Sequence, residues 1–266
     1  MSNLNCKCTD EATRDELLAR MLGTETTLAR AVRVGGIRLI AGGQSNAVGA
    51  ATRKRFLRRI INSRSGATSS WDDVVFNGED ATSISDPLLV HTATDRLNEL
   101  HPSMQVDYCW AGASSTGFEN GIGSWASGGA LRTELVGEVG NYSAISATAD
   151  RPTVMFWNQG ENDAALEIYA NAYVDQMSGL IDELVAIEPI DQLVMVRIHK
   201  DAKDSVYPAL TTLRAAQEEL TRKYQFVSLI NVDDLQLMPD EIHYDLREIL
   251  EITERFLEAI GNVRTS

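Results

Sequence analysis

The sequence predicts an α/β protein: a three-layer α/β/α sandwich on a mainly parallel, flavodoxin-like sheet of about five strands. Two observations predict it. Five short runs are apolar nearly throughout, as strands buried on both faces of a parallel sheet must be. Between them lie longer stretches in which apolar residues recur at helical spacing. The length of 266 residues suits one core of this kind, at ~150 residues per domain as a starting point.

Taken in order, Thr9 to Val34 reads as a helix through Leu17, Leu18, Met21, Leu28 and Val32, with Gly35-Gly36 as the breaker behind it. Residues 1–36 are therefore expected to form a separable helical arm, and residues 37–266 the main domain. Strands are expected at Ile37–Ala41, Gln105–Trp110, Thr153–Trp157, Gln192–Ile198 and Phe226–Val232. Helical periods are clearest through Leu166, Tyr169, Tyr173, Met177, Leu180, Ile181 and Leu184. They recur through Leu246, Ile249, Leu250, Thr253, Leu257 and Ile260. Strand and helix in alternation imply right-handed crossovers, which gather function in the crevice at the strands' carboxyl ends.

Charge and cysteine usage exclude several classes. The 24 Lys and Arg against 38 Asp and Glu leave a net charge of −14, spread along the chain, which repels nucleic acid and anionic lipid. No apolar run is long enough to span a bilayer, and Met1 to Cys8 lack the basic and apolar segments of a signal peptide. Cys6, Cys8 and Cys109 are too few for a disulfide framework, and the Cys6/Cys8 pair has no second pair to complete a zinc site. A reduced compartment is expected, the cytoplasm or a virion assembled there, with no metal bound.

The chemistry-bearing residues follow the strands. After the first come Gly42-Gly43-Gln44-Ser45-Asn46, small residues that permit a tight turn with a serine at the start of the next helix. Such a serine is either an ordinary N-cap or a nucleophile whose own N–H faces a developing oxyanion. After the second come Trp110-Ala111-Gly112-Ala113-Ser114-Ser115, where Gly112 serves a turn or lets a backbone N–H approach a ligand. After the third come Asn158-Gln159-Gly160-Glu161-Asn162-Asp163, dense in polar side chains for a mere turn. Before the last helix, Asp240 and His243 are three apart, so the carboxylate can accept from the imidazole Nδ1–H and leave Nε2 free as a base. His199, at the end of the fourth strand, is placed to line the same cleft, whereas His91 and His101 flank a helical stretch.

Together these blocks resemble the SGNH (GDSL-like) hydrolases, and most closely the sialate O-acetylesterase and acetylxylan esterase-like branch, carbohydrate esterase family 6. The resemblance rests on Gly43-Gln44-Ser45-Asn46, on Gln159-Gly160-Glu161 with Asp163, and on Asp240-x-x-His243. Arg214 and Gln217 add the Arg-x-x-Gln helix common in that branch, and coverage runs from Ile37 to the C-terminus. It implies Ser45 as nucleophile, His243 as general base and acid, and Asp240 as the group that orients the imidazole. The implied oxyanion donors are the Ser45 and Gly112 amides with Gln159 or Asn162, since Gly160 to Asp163 also spells the Gly-x-Asn-Asp of the wider superfamily. The second block departs from the expected Gly-Gly-Ser by reading Gly112-Ala113-Ser114.

The implied reaction is acyl transfer to water through a Ser45 acyl-enzyme, removing O-acetyl groups from a carbohydrate, a polysaccharide or a sialic-acid-like sugar, without metal or cofactor. Activity is expected to fall in acid as the imidazole protonates. Gln44, Asn46, Ser114, Trp125 and Glu161 are the candidate substrate contacts, with Phe118 and Trp125 as a stacking platform unless Trp125 simply anchors its loop. Arg53 to Arg59 is the only basic cluster, either a solvated helix face or a lure for an acidic polysaccharide. The arm suits a homo-oligomer or assembly into a phage particle, and a cytosolic bacterial enzyme fits equally. A GDSL-type lipase or thioesterase and a non-catalytic carbohydrate-binding virion protein are the alternatives.

Overall fold

The computed structural model of the protein describes residues 25–48, 88–118, 124–144, 150–203 and 205–261. Five strands appear where the apolar runs predict them: β1 (Gly36–Gly43), β2 (Gln105–Gly112), β3 (Thr153–Asn158), β4 (Gln192–Val196) and β5 (Val227–Ile230). All pair in parallel, in the order β2-β1-β3-β4-β5. The helices are α1 (Thr27–Val34), α2 (Ser45–Val48), α3 (Leu88–Leu100), α4 (Ala130–Ser143), α5 (Glu167–Ile187), α6 (Leu210–Lys223) and α7 (Leu246–Gly261). A 3₁₀ turn spans Asp163–Ala165.

The apolar strands are buried on both faces because successive side chains feed two separate cores. Ile40, Met155, Trp157, Leu193 and Met195 pack with α4, α5 and α6. Their neighbours Leu39, Ala41, Val154, Phe156, Val194 and Val196 pack on the other face with α1, α3 and α7. The charged exception in β1 is Arg38, 2% exposed and paired to Glu188 at 2.7 Å, its guanidinium lying 4.4 Å from the Tyr142 ring centroid.

The expected boundary at residue 36 is corrected by α1. Thr26 caps this helix, Gly35 closes it at φ +74, and its Ala31 is wholly buried in the core beneath α7. Arg30 pairs with Asp191 and Thr27 bonds Gln192 at 3.0 Å, so residues 25–36 belong to the body of the domain. Residues 1–24, with Cys6 and Cys8, and the basic cluster Arg53–Arg59 lie outside the described residues. Among the described residues no helix is long and apolar enough to cross a membrane.

Candidate active site

The order β2-β1-β3 makes β1 the strand from which the chain turns first to one side and then to the other. The loops leaving its carboxyl end therefore diverge and open a crevice. Gly43 at the end of β1 is level with Gly112 on one side and Asn158 on the other, so the first three blocks start at the same height. Gly43 has φ +155, and a Cβ there would lie 2.1 Å from the Asn158 carbonyl oxygen. That carbonyl accepts the Gln44 N–H at 3.0 Å, so the chain turns off β1 hard against β3. Ser45 then opens the short α2 and is 6% exposed.

Asp240 and His243 stand on a hairpin between β5 and α7. It is closed by an antiparallel bridge between Leu237 and Tyr244 and by the Met238 N–H bonding the His243 carbonyl at 2.7 Å. Glu241 at its tip takes φ +61, a left-handed conformation unusual for a residue with a side chain. Asp240 Oδ2 accepts from His243 Nδ1 at 2.7 Å, while Oδ1 accepts from the Ile242 and His243 N–H groups at 3.0 Å each. The proton on Nδ1 leaves Nε2 as the basic nitrogen. Partial burial pushes the Asp240 carboxyl up, but the hydrogen bonds from His243 and Ile242 outweigh it and hold the group ionised below its ordinary range.

Gln44 and Asn46, on either side of Ser45, are both 2% exposed and face protein rather than a ligand. Gln44 Oε1 accepts from Gly160 N–H at 3.5 Å and Asn162 N–H at 3.4 Å. Asn46 bonds Glu161, Ile242 and Tyr244. Glu161, 4% exposed, is likewise an internal group, and burial pushes its carboxyl above the usual carboxylate range. Their expected role as substrate contacts is corrected accordingly.

Gln159 is fully buried, and both its amide hydrogens are committed: Nε2 donates to Asp163 Oδ2 at 2.5 Å and to the Thr116 carbonyl at 3.3 Å. Asp163 also accepts from Phe118 N–H at 2.9 Å, so it braces the loop after β2 against the loop after β3. Asn162 is half-buried and makes no side-chain cap bond to the turn it precedes. Of the two amides, the one with donors to spare is Asn162.

Of the two expectations for Trp125, its burial fits the loop anchor. Trp125 is 0% and Phe118 1% exposed; Trp125 meets Trp157 edge-on at 4.7 Å, and Phe118 lies against Trp157 and Tyr173. Their rings fill the core beneath the second block. Ser114 beside them is exposed. His199 does not offer a free nitrogen to the cleft, since Nε2 bonds the Leu235 carbonyl at 3.1 Å and Nδ1 accepts from Asp201 N–H at 3.0 Å. Among the described residues no three His, Cys, Asp or Glu side chains converge to hold a metal ion.

The sequence marked Asp163 as part of its block but not its bracing role, and it left Asp233 unmarked. Asp233 joins Arg214, Arg197 and the Lys200 N–H, while Gln217 on the same helix as Arg214 bonds Ile198 N–H at 3.1 Å and the Val196 carbonyl at 3.2 Å. The Arg-x-x-Gln helix thus holds the exit of β4. The spacing of Arg214 and Gln217 was a usable signal; nothing local marked Asp233.

The architecture is shared with solved structures of low identity. A protein from Arabidopsis thaliana matches over 85% of this chain and 97% of its own, at 17% identity and TM-score 0.57. Est24, a carbohydrate acetylesterase from Sinorhizobium meliloti, matches over 85% and 98% at 10% identity and TM-score 0.54. A lipase/acylhydrolase from Enterococcus faecalis matches over 86% and 100% at 12% identity and TM-score 0.50. The all-parallel sheet between helical layers is the SGNH hydrolase fold. No curated protein sequence matches the chain. The model of one family, carbohydrate esterase, sialic acid-specific acetylesterase, matches residues 37–262, which takes in every block around the crevice. With that match spanning most of the chain, the chain belongs to the sialic acid-specific acetylesterase family of carbohydrate esterases.

Proposed function

We propose that the protein is a serine esterase that removes O-acetyl groups from a carbohydrate, with Ser45 as nucleophile, His243 as base and acid, and Asp240 as the orienting carboxylate. The observation that carries this reading is the Asp240–His243 pair, 2.7 Å apart, on a hairpin bonded to the residue after Ser45. Ser45 Oγ attacks the acetyl carbonyl while His243 Nε2 takes its proton, and the imidazolium then gives that proton to the leaving sugar oxygen. Water, deprotonated by the same nitrogen, attacks the acetyl-enzyme and releases acetate. Asp240, kept ionised by its hydrogen bonds, stabilises the imidazolium that forms transiently within each of the two steps.

The oxyanion would be met by the Ser45 and Gly112 backbone amides and by Asn162 Nδ2, each worth roughly 3 kcal/mol of barrier. Gln159 is better read as a brace, since its hydrogens already serve Asp163 and Thr116. With Trp125 buried, the exposed Ser114 hydroxyl is the remaining candidate of the original set for contact with the sugar.

The test is acetate release from 4-nitrophenyl acetate and from O-acetylated sialic acid and polysaccharide, by wild type and Ser45→Ala side by side. Loss in the variant with a preference for acetyl over longer acyl chains is expected. Rising rates with chain length would favour a lipase, and full activity in Ser45→Ala would overturn the assignment of the nucleophile.

A further inference from the structure

Ser45 and His243 reach the crevice from distant parts of the sheet. Ser45 follows β1, the second strand of the sheet, His243 follows the edge strand β5, and β3 and β4 lie between them. No strand ladder sets the two side chains in register, so another contact must.

The Asn46 side chain supplies it. Its primary amide has two hydrogens and an accepting oxygen, and all are used. Nδ2 donates to the Ile242 carbonyl at 3.1 Å and to Glu161 Oε1 at 2.9 Å, and Oδ1 accepts from Tyr244 N–H at 3.2 Å. Ile242 and Tyr244 are the residues on either side of His243, so the backbone is gripped both before and after the imidazole. The amide can face only one way, because the Ile242 carbonyl requires the NH₂ and the Tyr244 N–H requires the oxygen.

Glu161 completes the arrangement. It comes from the third block, is 4% exposed, and its Oε1 takes the remaining Asn46 hydrogen. Among the described residues its Oε2 is buried without a hydrogen-bond partner. An unpaired polar atom at such depth carries a cost that an apolar residue would avoid, which points to a task for the other oxygen. Without that acceptor one Asn46 hydrogen would be buried unsatisfied, and the hold of the amide on the two backbone groups would weaken.

We propose that Asn46, locked by Glu161, is the positioning pair that sets the Ser45 segment against the His243 hairpin. The proposal rests on Ser45 and His243 being the nucleophile and base. Neither Asn46 nor Glu161 touches the reacting atoms in this scheme; they act through the backbone on both sides of the imidazole. A misplacement near 1 Å between nucleophile and base is enough to cost about 10²-fold in rate.

The experiment compares wild type, Asn46→Ala, Glu161→Leu and Glu161→Gln by two readouts: steady-state kinetics on 4-nitrophenyl acetate and hydrogen exchange of the Tyr244 amide. Asn46→Ala and Glu161→Leu are expected to lower kcat by about 10²-fold with KM within about twofold, and to speed Tyr244 exchange at least tenfold. Glu161→Gln should recover most of what Glu161→Leu loses, because an amide oxygen accepts the same hydrogen. If Asn46→Ala does not fold, the Glu161 pair carries the comparison. Folded variants with unchanged Tyr244 exchange, or Glu161→Gln as impaired as Glu161→Leu, would overturn the proposal. Failure of the underlying reading is distinct: wild-type activity in Ser45→Ala would remove the nucleophile while Tyr244 exchange still reported the contact.

Discussion

Replacing Gly43 by Ala should cost both stability and rate, for a reason that can be worked from two contacts. The added Cβ would lie 2.1 Å from the Asn158 carbonyl oxygen and 2.7 Å from the Ala47 Cβ. The carbonyl is backbone of β3 and already accepts the Gln44 N–H at 3.0 Å, so it has little room to retreat. A tolerable contact needs a shift of about 1 Å, and overpacking of this kind costs typically 1–3 kcal/mol. The φ of +155° adds backbone strain of order 1–3 kcal/mol for a residue with a side chain. A total near 3 kcal/mol lowers the melting temperature by roughly 6–12 °C for a protein of this size. Because Ser45 is two residues on, the same shift should lower kcat by about 10²-fold. Gly35→Ala is the control: φ is +74, but nothing lies within 4 Å of the added carbon, so a loss on the order of 1–2 kcal/mol without loss of rate is expected. Urea denaturation followed by circular dichroism, together with kinetics on 4-nitrophenyl acetate, reads both effects. Stability within 0.5 kcal/mol of wild type and kcat within about threefold would refute the argument that the β1–β3 contact sets the nucleophile.

Three further outcomes are expected. In Asp240→Asn the amide oxygen should stay with the Ile242 and His243 N–H groups, turning its NH₂ toward Nδ1 and moving the imidazole proton to Nε2. A fall in kcat of roughly 10²- to 10⁴-fold with folding retained follows, and a fall of less than tenfold would argue against that tautomer. Trp125→Ala should cost about 3–5 kcal/mol, seen as an earlier melting transition, because the ring is 0% exposed; a raised KM with unchanged melting would restore the platform reading. Stability should also fall in strong acid. Partial burial raises the Asp233 carboxyl, but Arg214, the Lys200 N–H and Arg197 outweigh it and hold it well below the usual range; hydrogen bonding to Arg255 brings Asp234 down to about 2. Folded values below an unfolded value near 3.9 mean stability in full above about pH 4, lost as pH falls toward 2. Buried Glu161, shifted upward, has the opposite sign and partly offsets the loss. A urea midpoint that does not change between pH 5 and pH 2.5 would contradict this.

Much of this molecule was legible in its residues because the signals were local. Apolar runs such as Thr153 to Trp157 marked the strands, since a parallel strand covered on both faces has no polar side to show. Asp240 and His243 sit three apart, a spacing that one turn converts into a 2.7 Å contact. Gly35 ends its helix for the conformational reason that glycines do.

What failed were inferences about which way a side chain points. Trp125 in a glycine-rich loop looks like a sugar platform until it is seen edge-on against Trp157 in the core, and Gln44, Asn46 and Glu161 look like ligand contacts until their bonds to other loops are counted. The arm assigned to residues 1–36 failed at its C-terminal part in the same way, because the burial of Ala31 depends on α7, more than 200 residues away. Composition and periodicity thus decide the elements and the order in which they come, since those depend on near neighbours. The partners of Asn46, Gln159 and Asp163 are decided only when the loops after β1, β2 and β3 and the hairpin after β5 are brought together. A buried polar group takes whichever partner the packed fold brings within reach.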